Sequence, residues 1–92
     1  MMEVIFRKRA ETDLQGIIEW YEAVAPEAIS NILSDIYRSI DQLIDFPHSG
    51  MAVPGKGIRR IVTRKYHFKI AYRVETERLV IIGLYRYQNR SR

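Results

Sequence analysis

The sequence contains no cysteine, only two histidines and three prolines, and no long apolar run. Without thiols there is neither a disulfide staple nor a thiolate metal site, a composition that suits a reducing compartment. His48 and His67 lie about twenty residues apart with no acidic companion, so a histidine-based metal site has no ligand set to draw on. The longest apolar stretch is Leu79-Val80-Ile81-Ile82 followed by Gly83-Leu84-Tyr85. It falls far short of the ~20 residues that a spanning helix needs. Met1-Met2-Glu3-Val4 lacks the basic-then-apolar layout of a signal peptide, which leads us to expect a cytoplasmic location. No glycine-rich loop precedes a helix, because Pro54-Gly55-Lys56-Gly57 opens a strand pattern, so no helix-end phosphate cradle is expected. None of Ser30, Ser34, Ser39, Ser49 and Ser91 has a positioned base that would make it a nucleophile.

Acid is scarce in the second half of the chain. Residues 51–92 hold eleven basic side chains against Glu75 and Glu77, a net +9, whereas residues 1–50 hold four basic against nine acidic, a net −5. Such polarity points to an acidic or polyanionic partner at the C-terminal half, although one-sided charge also serves solubility alone. It leaves no room there for a paired-carboxylate site, since both acids fall in one turn.

What remains is a globular pattern: 92 residues, 47% hydrophobic and 28% charged, enough for one domain spanning residues 1–92. Residues 2–6 read as a strand with Val4 and Phe6 on one face. Leu14, Ile17, Ile18, Tyr21, Val24 and Ala25 then form a helical stripe, which Pro26 interrupts. A second helix begins at Glu27 and Ala28, and its stripe is Ile29, Ile32, Leu33, Ile36, Tyr37, Ile40, Leu43 and Ile44. Phe46-Pro47-His48-Ser49-Gly50 ends it, and residues 51–57 read as a loop. Three strand patterns follow, at 58–63, 66–74 and 79–86. The middle one alternates Tyr66, Phe68, Ile70, Tyr72 and Val74 with His67, Lys69, Ala71 and Arg73, one apolar face and one basic. The last is apolar on both faces, as an internal strand would be. The fold class expected is α+β, β-α-α-β-β-β, with a helical hairpin packed on one face of a mainly antiparallel twisted sheet.

On this pattern the candidate binding residues are cationic with aromatic neighbours: Arg59, Lys65, Lys69, Arg73, Arg86 and Arg90, with Tyr85 and Tyr87. Guanidinium and ammonium groups suit phosphates or carboxylates, and tyrosine rings can stack on bases. Tyr66 and Tyr72 belong on the apolar strand face, Trp20 in the core or at a partner, and Arg60, which alternates with Ile58 and Val62, in a structural role.

These residues resemble the ParE branch of the RelE/ParE toxins of bacterial toxin–antitoxin, or plasmid stabilisation, systems. The likeness runs through Val4-Ile5-Phe6 into Ala10-x-x-Asp13-Leu14 and Ile17, then Leu43-x-x-Phe46-Pro47-x-x-Gly50 and Ile58-Arg59-Arg60-Ile61-Val62. It continues with Tyr66-x-Phe68-Lys69-Ile70-x-Tyr72-Arg73-Val74 and the apolar last strand. Arg7 stands where a capping Ser or Thr is common. The resemblance implies a growth-arresting toxin that needs no cofactor or metal. Its implied partners are a cognate ParD-like antitoxin and DNA gyrase, which a ParE-like toxin traps on cleaved DNA. Operator DNA is bound by the complex mainly through the antitoxin, and no membrane is involved. Two alternatives stay open. A RelE-like toxin would cut mRNA on the ribosome, and the family's catalytic positions then fall at Lys69 and at Gln88, neither well suited to the chemistry. Because Arg86-Tyr87 resembles the Arg-Tyr before the catalytic histidine of YoeB-type members, an endonuclease site could instead draw on Lys69, His67, Arg86, Tyr87 and Arg90. The other alternative is a non-toxic module that only binds antitoxin or DNA.

Overall fold

The structure, a computed structural model, describes residues 2–86. Strand β1 (Glu3–Phe6) leads into helix α1 (Lys8–Val24), and a 3-10 turn (Pro26–Ala28) reverses the chain into helix α2 (Ile29–Asp45). Four strands follow: β2 (Met51–Val53), β3 (Ile58–Val62), β4 (Lys69–Glu75) and β5 (Arg78–Tyr85). The sheet order is β1-β5-β4-β3-β2, with β1 parallel to β5 and every other pair antiparallel. The α+β class and the helical hairpin are as expected. One strand departs from the expectation: residues 51–53, whose sequence predicts a loop, pair with 58–60 as β2.

Each helix start is fixed by something other than a side-chain cap. Arg7 makes no capping bond; its N–H instead donates to the Ile81 carbonyl at 2.9 Å, extending the β1 ladder into the first turn of α1. Pro26 supplies the pre-set backbone angle for the turn that leads into α2. Where β1 stops, Asp13 of α1 takes its place at the flank of β5, accepting the Leu84 N–H at 3.0 Å on Oδ2.

Both helices cover one sheet face. Ile32, Ile36, Ile40 and Leu43 of α2 join Ala10 and Ile17 of α1 over Phe68, Ile70, Tyr72, Leu79, Ile81 and Leu84, all buried. Ile29 and Leu33, expected inside, are half-buried, while Val24 and Tyr37 are exposed, so the apolar stripes are wider than the contact they make.

The strand expected at 66–74 begins instead at Lys69. Residues 63–68 form a loop closed by two bonds: Thr63 N–H to the Phe68 carbonyl, and Phe68 N–H to the Thr63 hydroxyl, both 2.9 Å. His67 within it has φ 60°, a left-handed conformation incompatible with a strand.

Candidate binding surface

Opposite the helices, paired residues share a face, so the register fixes what the open side of the sheet presents. One row runs Val62, Lys69, Tyr85; the next runs Met51, Arg60, Ala71, Gly83. Ala71 and Gly83 are small and buried, and the Tyr85 ring lies over Gly83, its hydroxyl 3.1 Å from where a Cβ would stand. Because β2 covers β3 only as far as Arg60, the flank of β3 at Ile61 and Val62 is uncovered by β2. A cavity of about 420 Å³ opens there, lined by Gly50, Met51, Arg60, Ile61, Val62 and Lys69. It combines cations with exposed apolar groups, Met51 at 72% and Val62 at 46% exposure. Such a mixed surface suits a protein or nucleoprotein partner better than a small ion.

The structure brings together only part of the cationic set expected from the sequence. Lys69, Arg73 and Tyr85 share the open face. Arg73 also lies 3.9 Å from Glu75, which Arg78 approaches at 3.8 Å. Arg59 does not share that face. It pairs with buried Tyr72 and turns to the helical side, its Nη1 donating to the carbonyls of His48 at 3.1 Å and Gly50 at 2.8 Å. Arg60, expected to be structural, is exposed on the open face. The two arginines thus lie on the faces opposite to those expected, because the core-side face of β3 carries Arg59 and Ile61 while Ile58, Arg60 and Val62 share the other. Lys65 and His67 sit in the 63–68 loop, away from the strand rows. Arg86 lies 4.1 Å above the ring of Trp20, on the helical side. Tyr87, Gln88 and Arg90 lie outside the described residues.

Asp35 ties α2 to the 63–68 loop. Buried in α2 within the apolar stripe, it accepts the N–H groups of Lys65 at 3.1 Å and Tyr66 at 2.8 Å. Burial alone would raise its pKa, but bonds from the Thr63 side chain, Tyr66 and Lys65, with the Lys65 charge, together hold the carboxyl below its ordinary value. Its signal in the sequence is an acid lying between Ile32 and Ile36. Burial raises the pKa of Tyr72, partly offset by the Gly50 N–H and the Arg59 charge. Among the described residues no three His, Cys, Asp or Glu side chains cluster as a metal site would require, and no helix is long and apolar enough to cross a membrane.

Two helices on one face of a mixed five-stranded sheet make an α+β fold that this chain shares with solved structures of a ParDE and a RelBE toxin–antitoxin system. The chain belongs to the family described as ParE toxin of type II toxin-antitoxin system, parDE, whose model matches residues 4–88. Among solved structures it is similar to the chromosomal ParDE toxin–antitoxin system from P. aeruginosa, with a TM-score of 0.81 and 22% identity, covering 96% of this chain and 98% of that one. It is also similar to the intact E. coli RelBE toxin–antitoxin complex, with a TM-score of 0.70 and 12% identity, covering 97% of this chain and 100% of the other. No curated protein matches the chain by sequence.

Proposed function

We propose that this ParE-family chain arrests bacterial growth by trapping DNA gyrase on cleaved DNA, acting as a binding poison rather than as an enzyme. The observation that carries this reading is the family match over residues 4–88. The open sheet face is consistent with it: Arg60 and Lys69 stand beside exposed Met51, Val62 and Tyr85, a surface able to contact protein and phosphate together. A ParD-like antitoxin neutralises the toxin, as the similarity to a ParDE system supports. An acidic antitoxin segment would be drawn to the basic half of the chain and could add a strand at the uncovered β3 flank. The antitoxin, rather than this chain, would carry most of the operator-DNA contact, and the setting would be the bacterial cytoplasm, with plasmid stabilisation as one biological role.

The runner-up is mRNA cleavage on the ribosome, favoured by one observation: Arg60 and Lys69 line the same cavity, so two cations could meet one phosphate. A paired assay separates the two readings. Purified protein is incubated with gyrase, ATP and plasmid, and separately with ribosomes programmed with mRNA. Double-strand breaks with gyrase support the poison; codon-positioned mRNA cuts with unchanged gyrase overturn it.

A further inference from the structure

A second basic cleft lies away from the open sheet face, between α2 and the 63–68 loop. Its volume is about 310 Å³, and Asp35, Arg38, Ser39, Gln42, Arg64 and Lys65 line it. Arg38 is the one basic side chain between residues 10 and 50. It has Asp35 and Asp41 three residues away on either side, yet it forms an ion pair with neither, and Arg64 is likewise unpaired among the described residues. The single carboxylate in the cleft is already engaged, since Asp35 directs both oxygens to the N–H groups of Lys65 and Tyr66. Ser39 is tied to the same helix turn, donating to the Asp35 carbonyl at 3.0 Å.

The consequence is a net positive charge held on two fixed elements. Like charges gathered in one cleft repel, and the repulsion is relieved when an anion takes the shared position. Two guanidinium forks and an ammonium match the oxygens of a tetrahedral oxyanion, with the Gln42 amide as a further donor. The Asp35 clamp holds the backbone of the loop that carries Arg64 and Lys65, so binding has side chains rather than a loop to order. We infer that this cleft binds a phosphate group, at a site distinct from the Arg60 and Lys69 cavity and independent of the gyrase reading.

The test is a backbone-amide NMR titration of the free protein with inorganic phosphate at constant ionic strength, repeated with a short single-stranded DNA oligonucleotide. Saturating shifts confined to residues 38–42 and 63–66 are expected. The Arg38→Gln, Arg64→Gln double variant, altered only at exposed positions, should keep its fold by circular dichroism and bind about tenfold or more weakly. Saturation by inorganic phosphate would identify a free phosphate ligand, and saturation by the oligonucleotide alone a nucleic-acid backbone; either supports the site. Shifts that do not saturate, that centre on Arg60 and Lys69, or that persist unchanged in the double variant would overturn it.

Discussion

Arg59 and Tyr72 stand opposite one another across β3 and β4, and both reach the 47–50 turn that follows α2. The Tyr72 hydroxyl accepts the Gly50 N–H at 2.9 Å and donates to the Pro47 carbonyl at 2.8 Å. The Arg59 guanidinium takes the carbonyls of His48 and Gly50. A cross-strand pair therefore fixes the point where the helical hairpin hands the chain to β2, and with it the wall of the neighbouring cavity.

Removing the hydroxyl should leave the Gly50 N–H and Pro47 carbonyl without this partner. Tyr72→Phe is expected to cost about 1–3 kcal/mol, seen as a lower urea midpoint with an unchanged slope. Gly50→Ala should cost more, ~2–4 kcal/mol, from overpacking and the lost bond together. A Cβ there would meet the Tyr72 hydroxyl at 2.5 Å and the Arg60 carbonyl at 2.9 Å, and the second is backbone that cannot swing aside.

Asp35 makes the fold sensitive to acid. Its carboxyl sits below the ordinary value when folded, so its contribution to stability is complete above about pH 4 and is lost as pH falls toward the folded pKa. Asp35→Asn should destabilise by about 1–3 kcal/mol at neutral pH, since an amide offers one acceptor where two N–H groups need partners. The gap between wild type and variant should narrow below about pH 4, as thermal melts at several pH values would show.

The parts of this fold legible in the sequence are those whose pattern is local. The α2 stripe declares itself by its period, and the doubly apolar β5 by a short Val- and Ile-rich run that follows a charged turn. β2 did not, because three residues ahead of Pro54 and Gly55 carry no period, and their pairing depends on β3. The onset of β4 at Lys69 is hidden for a related reason. Phe68 is buried like a strand residue, yet the N–H groups of Lys65 and Tyr66 are taken by Asp35, thirty and more positions away. The candidate surface suffered most. Ile58 and Val62 looked like a core face, and only the register with β4 shows that Arg59 points inward and Arg60 outward.

Trp20 is the sole tryptophan, so its emission reports on one place. Arg86 covers its ring at 4.1 Å, while Tyr21 meets its edge with centroids 4.9 Å apart. Arg86→Ala should expose the indole further, shift its emission to the red and cost about 0.5–1 kcal/mol. An unchanged spectrum would mean that the guanidinium does not shield the ring in solution.

Lys69 offers the sharpest separation of the two functional readings. It pairs with Val62 and Tyr85 on the open face and lines the cavity with Arg60. A phosphate in transit during RNA cleavage gains from a bidentate guanidinium, which a lysine lacks. Lys69→Arg should therefore strengthen mRNA cutting if the chain is a nuclease. A gyrase poison that uses the position for charge and contact should be little changed by Lys69→Arg and weakened roughly tenfold by Lys69→Ala. Our expectation is the second pattern, read as the concentration of protein needed to linearise plasmid in the presence of gyrase. Enhanced mRNA cleavage by Lys69→Arg, with no gyrase-dependent breaks from any variant, would reverse the assignment.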